Sequence, residues 1–233
     1  TFDSTNGYLP AKIKGSLKGG TIQLSGKGGS QLVSGLLMAL PLCVDSSKLE
    51  LENPTSKPYI DLTLKTLRDF NLKITNNNYS QFVIPGRQRY RKKIFYQLQG
   101  DWSSAALLLT GGAISGDITV KNLVINSSQA DERILEVFKA AGVQYEVIEG
   151  PKYLIMCGDV PCAFRDNPDD EDCCSGRVEV KGSKIPLNPF EFDATDSPDL
   201  FPPLVVLALN CDGVSRIKGV SRLYNKESNR AET

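Results

Sequence analysis

The chain contains no histidine among its 233 residues. This absence excludes catalytic sites in which an imidazole activates a serine or cysteine nucleophile. It also removes the most frequent protein ligand of transition metals. Proton transfer by this chain must therefore use carboxylates, lysine, cysteine or tyrosine.

Long apolar segments and an excess of one charge are also missing. The stretch "PPLVVLALN" is among the longest apolar ones and is far too short to cross a bilayer. The first residues, "TFDSTNGYLP", lack the basic and then apolar pattern of a secretion signal. Basic and acidic residues number 27 each, which gives no indication of nucleic-acid binding. We expect a cytoplasmic protein with neither a membrane nor a nucleic-acid partner.

The six cysteines form no recognisable metal motif. Cys43 and Cys211 lie in apolar helical stretches, which predicts buried free thiols. The other four surround the acidic stretch "RDNPDDED" without Cys-x-x-Cys spacing, which favours a polar surface insertion over a zinc site. These four are Cys157, Cys162, Cys173 and Cys174. We expect no bound metal.

A pattern of strand, helix, strand, helix and hairpin runs along the chain and then starts again. In the first copy, "TIQLSG" and "SKLELEN" alternate as strands do, while "SQLVSGLLMALPLC" and "PYIDLTLKTLRDF" have helical apolar spacing. "LKITNNNYSQFVI" then predicts two strands joined by an asparagine-rich turn. The pattern indicates an α/β fold built from repeated units, of which several must pack together.

The second copy follows the basic stretch "GRQRYRKK", which we interpret as a linker. It predicts a strand at "KIFYQLQG", a helix at "SSAALLLTGGAI", a strand at "GDITVKNL" and a helix at "ADERILEVFKAAG" that ends at Gly142. A hairpin is predicted in "VQYEVIEGPKYLIMCG". A third copy begins with "PFEFDAT", "SPDLFPPLVVLALN" and "GVSRIKGVSRL", and its second helix begins near "NKESNRAET".

Each first helix of a copy begins with small polar residues, near Ser30, Ser103 and Ser197. Serine and aspartate at such positions accept hydrogen bonds from the free backbone N–H groups of a helix start, which is the simplest interpretation. If several helix starts converge, their dipoles and N–H groups form an anion site instead. A chain of zero net charge can then bind phosphate without a basic patch.

Five stretches in this order resemble the 5-enolpyruvylshikimate-3-phosphate synthases, a branch of the enolpyruvyl transferase family. The most specific are "SKPYID" and the ending "KESNR". The others are "GGSQLVSGLLMALPL", "QGDWSSAALLLTGGAI" and "FDATDSPDLFPPLVVLAL". The resemblance covers nearly the whole chain, apart from the insertion near 158–187.

The resemblance implies a two-domain inside-out α/β barrel, in which each domain contains three repeats and the helix starts point towards a cleft. Residues 1–86 are then expected to be the last repeat of the first domain. Residues 87–233 are expected to be the first repeat and part of the second repeat of the other domain. The chain is accordingly expected to be a middle fragment of a longer enzyme, and its incomplete domains to favour self-association, whereas the complete enzyme is expected to be monomeric.

The implied activity is transfer of the enolpyruvyl group of phosphoenolpyruvate to the 5-hydroxyl of shikimate 3-phosphate, with release of phosphate. This is a step of the shikimate pathway to the aromatic amino acids, and no cofactor is implied. For substrate binding, the resemblance implies Ser30 and Gln31, with Ser56 as a second phosphate contact and Tyr59 beside the shikimate ring. Arg230 is expected to clamp phosphoenolpyruvate, a role suited to a planar guanidinium.

Three catalytic residues are implied. Asp199, in "SPDLF", corresponds to the carboxylate that binds shikimate and takes the 5-hydroxyl proton. Lys226 corresponds to a lysine that neutralises substrate charge, and Glu227 to a glutamate that transfers protons at the enolpyruvyl methylene. From the residues alone, Asp199 is as well explained as a helix cap, and "KESNR" as the solvated first turn of a helix.

Two positions depart from the family pattern. Gly29 replaces a serine, whose hydroxyl contact is lost, although we expect the Gly29 backbone N–H to compensate in part. Asn229 replaces an aspartate, which weakens the expectation for its neighbours. Segments of the family that bind phosphoenolpyruvate are missing, so we expect the chain on its own to be inactive.

Two alternatives remain open. A relative that acts on UDP-N-acetylglucosamine shares the repeat fold but lacks "SKPYID". The chain is otherwise a non-catalytic scaffold or a folding fragment that pairs with a missing segment.

Overall fold

A computed structural model of the chain describes residues 2–90, 98–149, 156–157, 160–161, 176–182, 186–225, 229 and 232. The polypeptide separates into two compact units. Unit 1 comprises Thr1–Thr55 and Thr63–Lys92, and unit 2 comprises Ser56–Leu62 and Lys93–Thr233. The chain thus changes unit at three points, after Thr55, after Leu62 and after Lys92. The last of these lies within the basic stretch interpreted as a linker, a few residues after the predicted boundary at residue 86.

Unit 1 contains a four-stranded mixed sheet and a separate N-terminal hairpin. Its elements are β1 (Phe2–Thr5), β2 (Tyr8–Ile13), β3 (Thr21–Ser25), α1 (Gln31–Ala39), β4 (Ser47–Glu52), α2 (Lys57–Asp69), β5 (Thr75–Asn77) and β6 (Gln81–Ile84). The first part of α2, residues 57–62, belongs to unit 2. The sheet order is β3-β4-β6-β5, with β3 and β4 parallel and the other pairs antiparallel. Strands β1 and β2 pair only with each other, and the sequence patterns did not predict them.

Alternation of apolar and polar residues explains β4. Leu49 and Leu51 are buried, whereas Glu50 between them is only half-buried and Lys48 before them is exposed. The following helix, α2, ends where Asn71 takes up a left-handed conformation with φ of 65°. Asparagine tolerates that conformation, and the Leu72 N–H bonds back to the Leu67 carbonyl at 2.9 Å, which closes the helix end.

Unit 2 repeats this topology. Its regular elements are α3 (Trp102–Ser115), β7 (Ile118–Leu123), α4 (Ile134–Ala141), β8 (Tyr145–Ile148), β9 (Met156–Cys157), β10 (Val160–Pro161), β11 (Gly176–Val180), β12 (Glu191–Asp193), α5 (Phe201–Ala208) and β13 (Arg216–Lys218). The antiparallel sheet β7-β11-β8 corresponds to β4-β6-β5 of unit 1, and the parallel pair β12–β13 corresponds to β3–β4. Gly142 ends α4 in a left-handed conformation, as predicted.

The expected insertion near 158–187 is wrong at its C-terminal end. Residues 176–180 form β11, the central strand of the three-stranded sheet, and are paired on both sides. Strand β8 pairs with β11, whereas the sequence pattern paired it with the segment that ends near Cys157. The additional residues therefore lie between the two strands of a hairpin. The strand predicted at 93–100 falls mainly outside the described residues, and 98–100 are not in a strand.

The core of unit 2 is formed by α3, α4, α5 and one face of the sheet. Trp102 is fully buried at the start of α3, and its indole N–H donates to the Val124 carbonyl at 3.0 Å. Phe138, Val178 and Leu204 are also fully or almost fully buried in this cluster. In the described part of the chain, no helix combines the length and the hydrophobicity that a membrane span requires.

Candidate functional site

Ser56 lies immediately before α2 in a buried and unusual backbone conformation. Its φ is 54°, in the left-handed region, and it is 4% exposed. A residue with a Cβ seldom adopts this conformation, and such positions cluster at ligand-binding sites. The Ser56 carbonyl accepts from the Tyr59 N–H at 3.1 Å, which forms the first turn of α2.

The Ser56 hydroxyl oxygen accepts a hydrogen bond from Arg222 Nη2 at 2.7 Å. Arg222 is 9% exposed and lies in a 3₁₀ segment, Val220–Asn225. Its backbone N–H bonds to the carbonyl of Gly219, whose φ is 94°. A Cβ at Gly219 would lie 2.7 Å from the Thr195 nitrogen, so glycine is required where the chain turns into this segment.

Tyr59, in the first turn of α2, is anchored by a buried carboxylate. Its hydroxyl donates to Asp131 Oδ2 at 2.8 Å, and the Ser103 hydroxyl donates to the same oxygen at 2.8 Å. Asp131 is 1% exposed, and its other oxygen, Oδ1, has no hydrogen-bond partner among the described residues. Three segments distant in sequence therefore meet at one carboxylate.

The surroundings of this carboxylate disfavour negative charge. Burial raises the pKa of Asp131 above its ordinary value, and this outweighs the hydrogen bonds from Ser103 and Tyr59, which lower it. The charges of Asp199 and Asp101 raise it further. Burial and the charge of Asp131 also raise the pKa of the Tyr59 phenol. Tyr59 is therefore a neutral hydrogen-bond donor throughout the physiological pH range.

Asp101 begins α3 as a helix cap. Its two carboxylate oxygens accept from the backbone N–H groups of Ser103 and Ser104, each at 3.1 Å. Burial raises the pKa of Asp101, but the hydrogen bonds from Ser104 and Ser103 together lower it below its ordinary value. Asp101 is therefore ionised, and its charge acts on Tyr59 and Asp131 nearby.

Asp199 is half-buried in the 3₁₀ turn Pro198–Leu200 that leads into α5. Its charge contributes to the raised pKa of Tyr59 and to that of Asp131, which brings it into the same electrostatic environment. The expected cap is wrong here, since the Ser197 side chain forms no capping hydrogen bond. Ser197 is fully buried, and its Oγ has no partner among the described residues.

Ser30 and Gln31 belong to unit 1, at the start of α1. Ser30 has helical dihedral angles and no side-chain capping bond, so the expected cap is wrong here too. Gln31 is exposed. The expected compensation by Gly29 is also wrong, because its N–H already donates to the Gly26 carbonyl at 3.2 Å. With φ of 106°, position 29 favours glycine.

Three expected site residues, Lys226, Glu227 and Arg230, lie outside the described residues. Asn229 is described, and its carbonyl accepts from the Glu232 N–H at 3.1 Å. Cys43 is a buried free thiol, as predicted, and Cys211 is a half-buried one. Within the described ranges, no group of three or more cysteine, aspartate or glutamate side chains is arranged to hold a metal ion.

Comparison with protein family models assigns the chain to a family. The family model described as EPSP synthase (3-phosphoshikimate 1-carboxyvinyltransferase) matches residues 2–233. The chain belongs to the EPSP synthase family.

Curated members of the EPSP synthase family support the assignment. The 3-phosphoshikimate 1-carboxyvinyltransferase of Clostridium perfringens is 35% identical over 226 residues, which cover 95% of this chain and 46% of the relative. The enzyme of the same name from Methanosarcina mazei is 35% identical over 230 residues, 97% of this chain and 47% of the relative. The chain thus spans about half the length of the curated relatives it matches.

Solved structures show the same fold. EPSP synthase from Acinetobacter baumannii matches all of this chain and 48% of its own, with a TM-score of 0.67 and 23% identity. The enolpyruvyl transferase NikO from Streptomyces tendae matches 89% of this chain and 45% of its own, with a TM-score of 0.58 and 17% identity. The α/β fold of repeated units is therefore that of the enolpyruvyl transferases, present here in part.

Sequence patterns did not indicate three residues around Ser56 and Tyr59. These are Asp131, its hydrogen-bond donor Ser103, and Arg222. Asp131 lies in "ADER", which indicates only a helix start. Arg222 precedes the EPSP synthase motif "KES" and resembles a surface charge in the sequence. Their contacts to Tyr59 and Ser56 span 72 and 166 residues of sequence, so no local pattern reveals them.

Proposed function

We propose that this chain is part of an enzyme that transfers the enolpyruvyl group of phosphoenolpyruvate to the 5-hydroxyl of shikimate 3-phosphate and releases phosphate. The observation that carries the proposal is the convergence, within unit 2, of Ser56, Tyr59 and Asp199. These are three of the residues through which the family resemblance implies shikimate binding. The reaction would belong to the shikimate pathway and take place in the cytoplasm, with a monomeric complete enzyme.

Substrate binding in this proposal uses the residues that the family resemblance implies. Ser56 binds the phosphate of shikimate 3-phosphate, and the Tyr59 ring packs beside the cyclohexene ring. Ser30 and Gln31 are proposed as further substrate contacts. The neutral Tyr59 suits a site for anionic substrates, because an ionised phenol would repel them.

Asp199 acts as the base in this proposal. As the 5-hydroxyl oxygen forms its bond to the enol carbon, it loses a proton, and a carboxylate is the natural acceptor in a chain without histidine. Asp199 is half-buried in the turn that leads into α5, beside Tyr59 and Asp131 on which its charge acts. Glu227 protonates the methylene carbon as the oxygen adds to the neighbouring enol carbon, which gives a tetrahedral intermediate. Glu227 then takes a proton back from the resulting methyl group as the double bond re-forms and the C–O bond to phosphate breaks.

Lys226 and Arg230 complete the proposal as cations. Lys226 neutralises charge on shikimate 3-phosphate, and Arg230 holds phosphoenolpyruvate through its planar guanidinium. Phosphoenolpyruvate carries about three negative charges, and their removal from water has to be offset by several cations. The 233-residue chain alone is therefore expected to bind shikimate 3-phosphate but not to turn over the substrate pair.

Calorimetric titration of the chain in phosphate-free buffer tests the proposal. Shikimate 3-phosphate is expected to bind and UDP-N-acetylglucosamine is not. Ser56→Ala is expected to abolish the difference, whereas Ser115→Ala, which removes an exposed hydroxyl at the end of α3, is expected to leave it unchanged.

Equal affinity for both ligands, or preference for UDP-N-acetylglucosamine, would contradict the proposed substrate. A non-catalytic scaffold is distinguished by a second measurement. The remaining half of a family member is supplied in trans, and phosphate release from the two substrates is followed. Release that depends on Asp199 supports the enzyme, and its absence despite formation of the complex supports the scaffold.

A further inference from the structure

The hydrogen bond between Arg222 and Ser56 joins a cation to a hydroxyl inside unit 2. The Arg222 Nη2 to Ser56 Oγ distance is 2.7 Å, and both residues are buried. A serine hydroxyl has two lone pairs and one proton. Because the oxygen accepts from the guanidinium, its own proton remains to be donated, and the adjacent positive charge makes it a stronger donor. The Ser56 hydroxyl can therefore donate a hydrogen bond to a ligand, and an anionic acceptor is favoured.

The backbone supports the same interpretation. Ser56 has a left-handed φ of 54°, its carbonyl accepts from the Tyr59 N–H in the first turn of α2, and its hydroxyl is held by Arg222. For Arg222, the tight turn at Gly219 fixes the start of the 3₁₀ segment in which it lies. Both partners therefore stand on rigid backbone, as groups that bind a ligand in one geometry require.

Arg222 is better suited than the adjacent lysine to supply the charge. Lys57 follows Ser56 directly but is exposed, so water and salt screen its charge. Arg222 is 9% exposed, and a buried guanidinium interacts strongly with a phosphate, which it can contact with two N–H groups at once.

We propose that Arg222 is the buried cation of the phosphate subsite: it binds the phosphate monoester of shikimate 3-phosphate together with the Ser56 hydroxyl that it polarises. The inference rests on the proposed function, since that function supplies the ligand. It adds a residue to which neither the sequence motifs nor the family resemblance gave a role. Arg222 and Ser56 then act as one unit, and removal of either disrupts the same contact.

The phosphate dependence of binding tests the inference. In wild type, shikimate 3-phosphate is expected to bind more tightly than shikimate, which lacks the phosphate. The dissociation constant of shikimate divided by that of shikimate 3-phosphate measures how much the phosphate subsite contributes to affinity. Arg222→Gln is expected to reduce this ratio by about 10- to 100-fold, as for loss of a hydrogen bond to a charged group, and to leave shikimate affinity unchanged. Arg216→Gln removes an exposed arginine of the same unit and is expected to leave the ratio unchanged.

Further variants keep the test decisive. Arg222→Lys retains the charge and is expected to fold. It is expected to lower the ratio of the two dissociation constants about tenfold, because an ammonium cannot form the planar two-point contact. The double variant Ser56→Ala/Arg222→Gln is expected to lose little more than Arg222→Gln alone, since the two residues act together. Far-ultraviolet circular dichroism confirms that each variant is folded.

The outcomes separate the inference from the proposed function. If wild type shows no preference for shikimate 3-phosphate over shikimate, the proposed substrate fails, and the inference fails with it. If wild type shows the preference and Arg222→Gln and Arg222→Lys both retain it, only the inference is overturned.

Discussion

The Asp131 carboxylate is bonded through one of its two oxygens. Oδ2 accepts from both Tyr59 and Ser103, whereas Oδ1 is buried without a partner among the described residues. An unsatisfied buried oxygen costs free energy, and the cost is larger when the group is charged. This arrangement explains why burial raises the pKa of Asp131 despite the two hydroxyl donors.

The first prediction follows from the sign of that shift. A carboxyl whose pKa is raised on folding stabilises the native state below its unfolded pKa, and this contribution is lost as the pH rises through the native pKa. Asn at this position does not titrate. Asp131→Asn should therefore gain stability relative to wild type as the pH rises above about 4, measured by urea unfolding over a pH series.

Asp131→Ala gives the matched comparison. It removes the acceptor and leaves the Tyr59 and Ser103 hydroxyls without it, which should cost about 1–3 kcal/mol at every pH. A constant difference between wild type and Asp131→Asn across the pH series would contradict the prediction.

Among individual residues, those that belong to motifs could be predicted from the sequence, and those that act through tertiary contacts could not. "SKPYID" was sufficient to identify Ser56 and Tyr59 as candidates. Asp131 and Arg222 were missed because their partners lie 72 and 166 residues away. The expected help from the Gly29 N–H failed for a local reason, a turn that already uses it.

At the scale of elements, the helix starts differ more than their similar sequences indicate. Asp101 caps α3 with both carboxylate oxygens, whereas Ser30 and Ser197 do not cap the helices that follow them. Aspartate has two acceptors, and a β-region backbone at Asp101 directs them to the free N–H groups. Ser30 already has helical dihedral angles, which turn its side chain away.

The second prediction concerns this cap. Asp101→Ala should lower the free energy of unfolding by about 1 kcal/mol, because the Ser103 and Ser104 N–H groups lose their acceptor. The lowered pKa of Asp101 means that its contribution is present above the unfolded pKa and is lost as the pH falls through the native pKa. Thermal unfolding at pH 7 and in acid measures both effects.

Asp212→Ala is the control, since Asp212 is exposed and lies outside any helix start. Equal destabilisation by the two variants, or an effect of Asp101→Ala that does not decrease in acid, would show that the cap is not the cause.

Periodicity predicted the elements well wherever one face of an element is buried. Strand β4 and helix α4 follow their apolar patterns, and Gly142 ends α4 as expected. Strand β11 was not predicted because the strand with which it pairs, β8, is separated from it by residues 149–175. Pairing across such a distance leaves no local signal in the sequence. The β1–β2 hairpin was missed because its strands are mostly exposed and lack alternation.

At the scale of the whole molecule, several helices leave large apolar side chains exposed. Leu107 and Leu108 on α3 are each 54% exposed, and Leu209, just after α5, is 80% exposed. In a repeat fold, such surfaces are normally covered by neighbouring copies. The chain spans about half the length of the curated relatives it matches.

The third prediction is that the 233-residue chain self-associates at micromolar concentration. Sedimentation velocity over a concentration series should show a rising average mass. Replacement of both Leu107 and Leu108 by Gln should shift the association to higher concentration. Replacement of the exposed Lys139 by Gln is the control and should change nothing. A concentration-independent monomer in wild type would contradict the prediction.

The hairpin of β8 and β11 has a consequence for how this molecule can be altered. Residues 78–80 join the corresponding strands of unit 1, whereas residues 149–175 join β8 to β11. Closing the longer connection costs only roughly 2 kcal/mol more, because loop entropy grows with the logarithm of length. Strand β11 pairs with β7 on one side and with β8 on the other. We therefore expect this connection to accept a grafted segment, such as a fluorophore-binding peptide or an affinity tag, while the strands on either side remain paired.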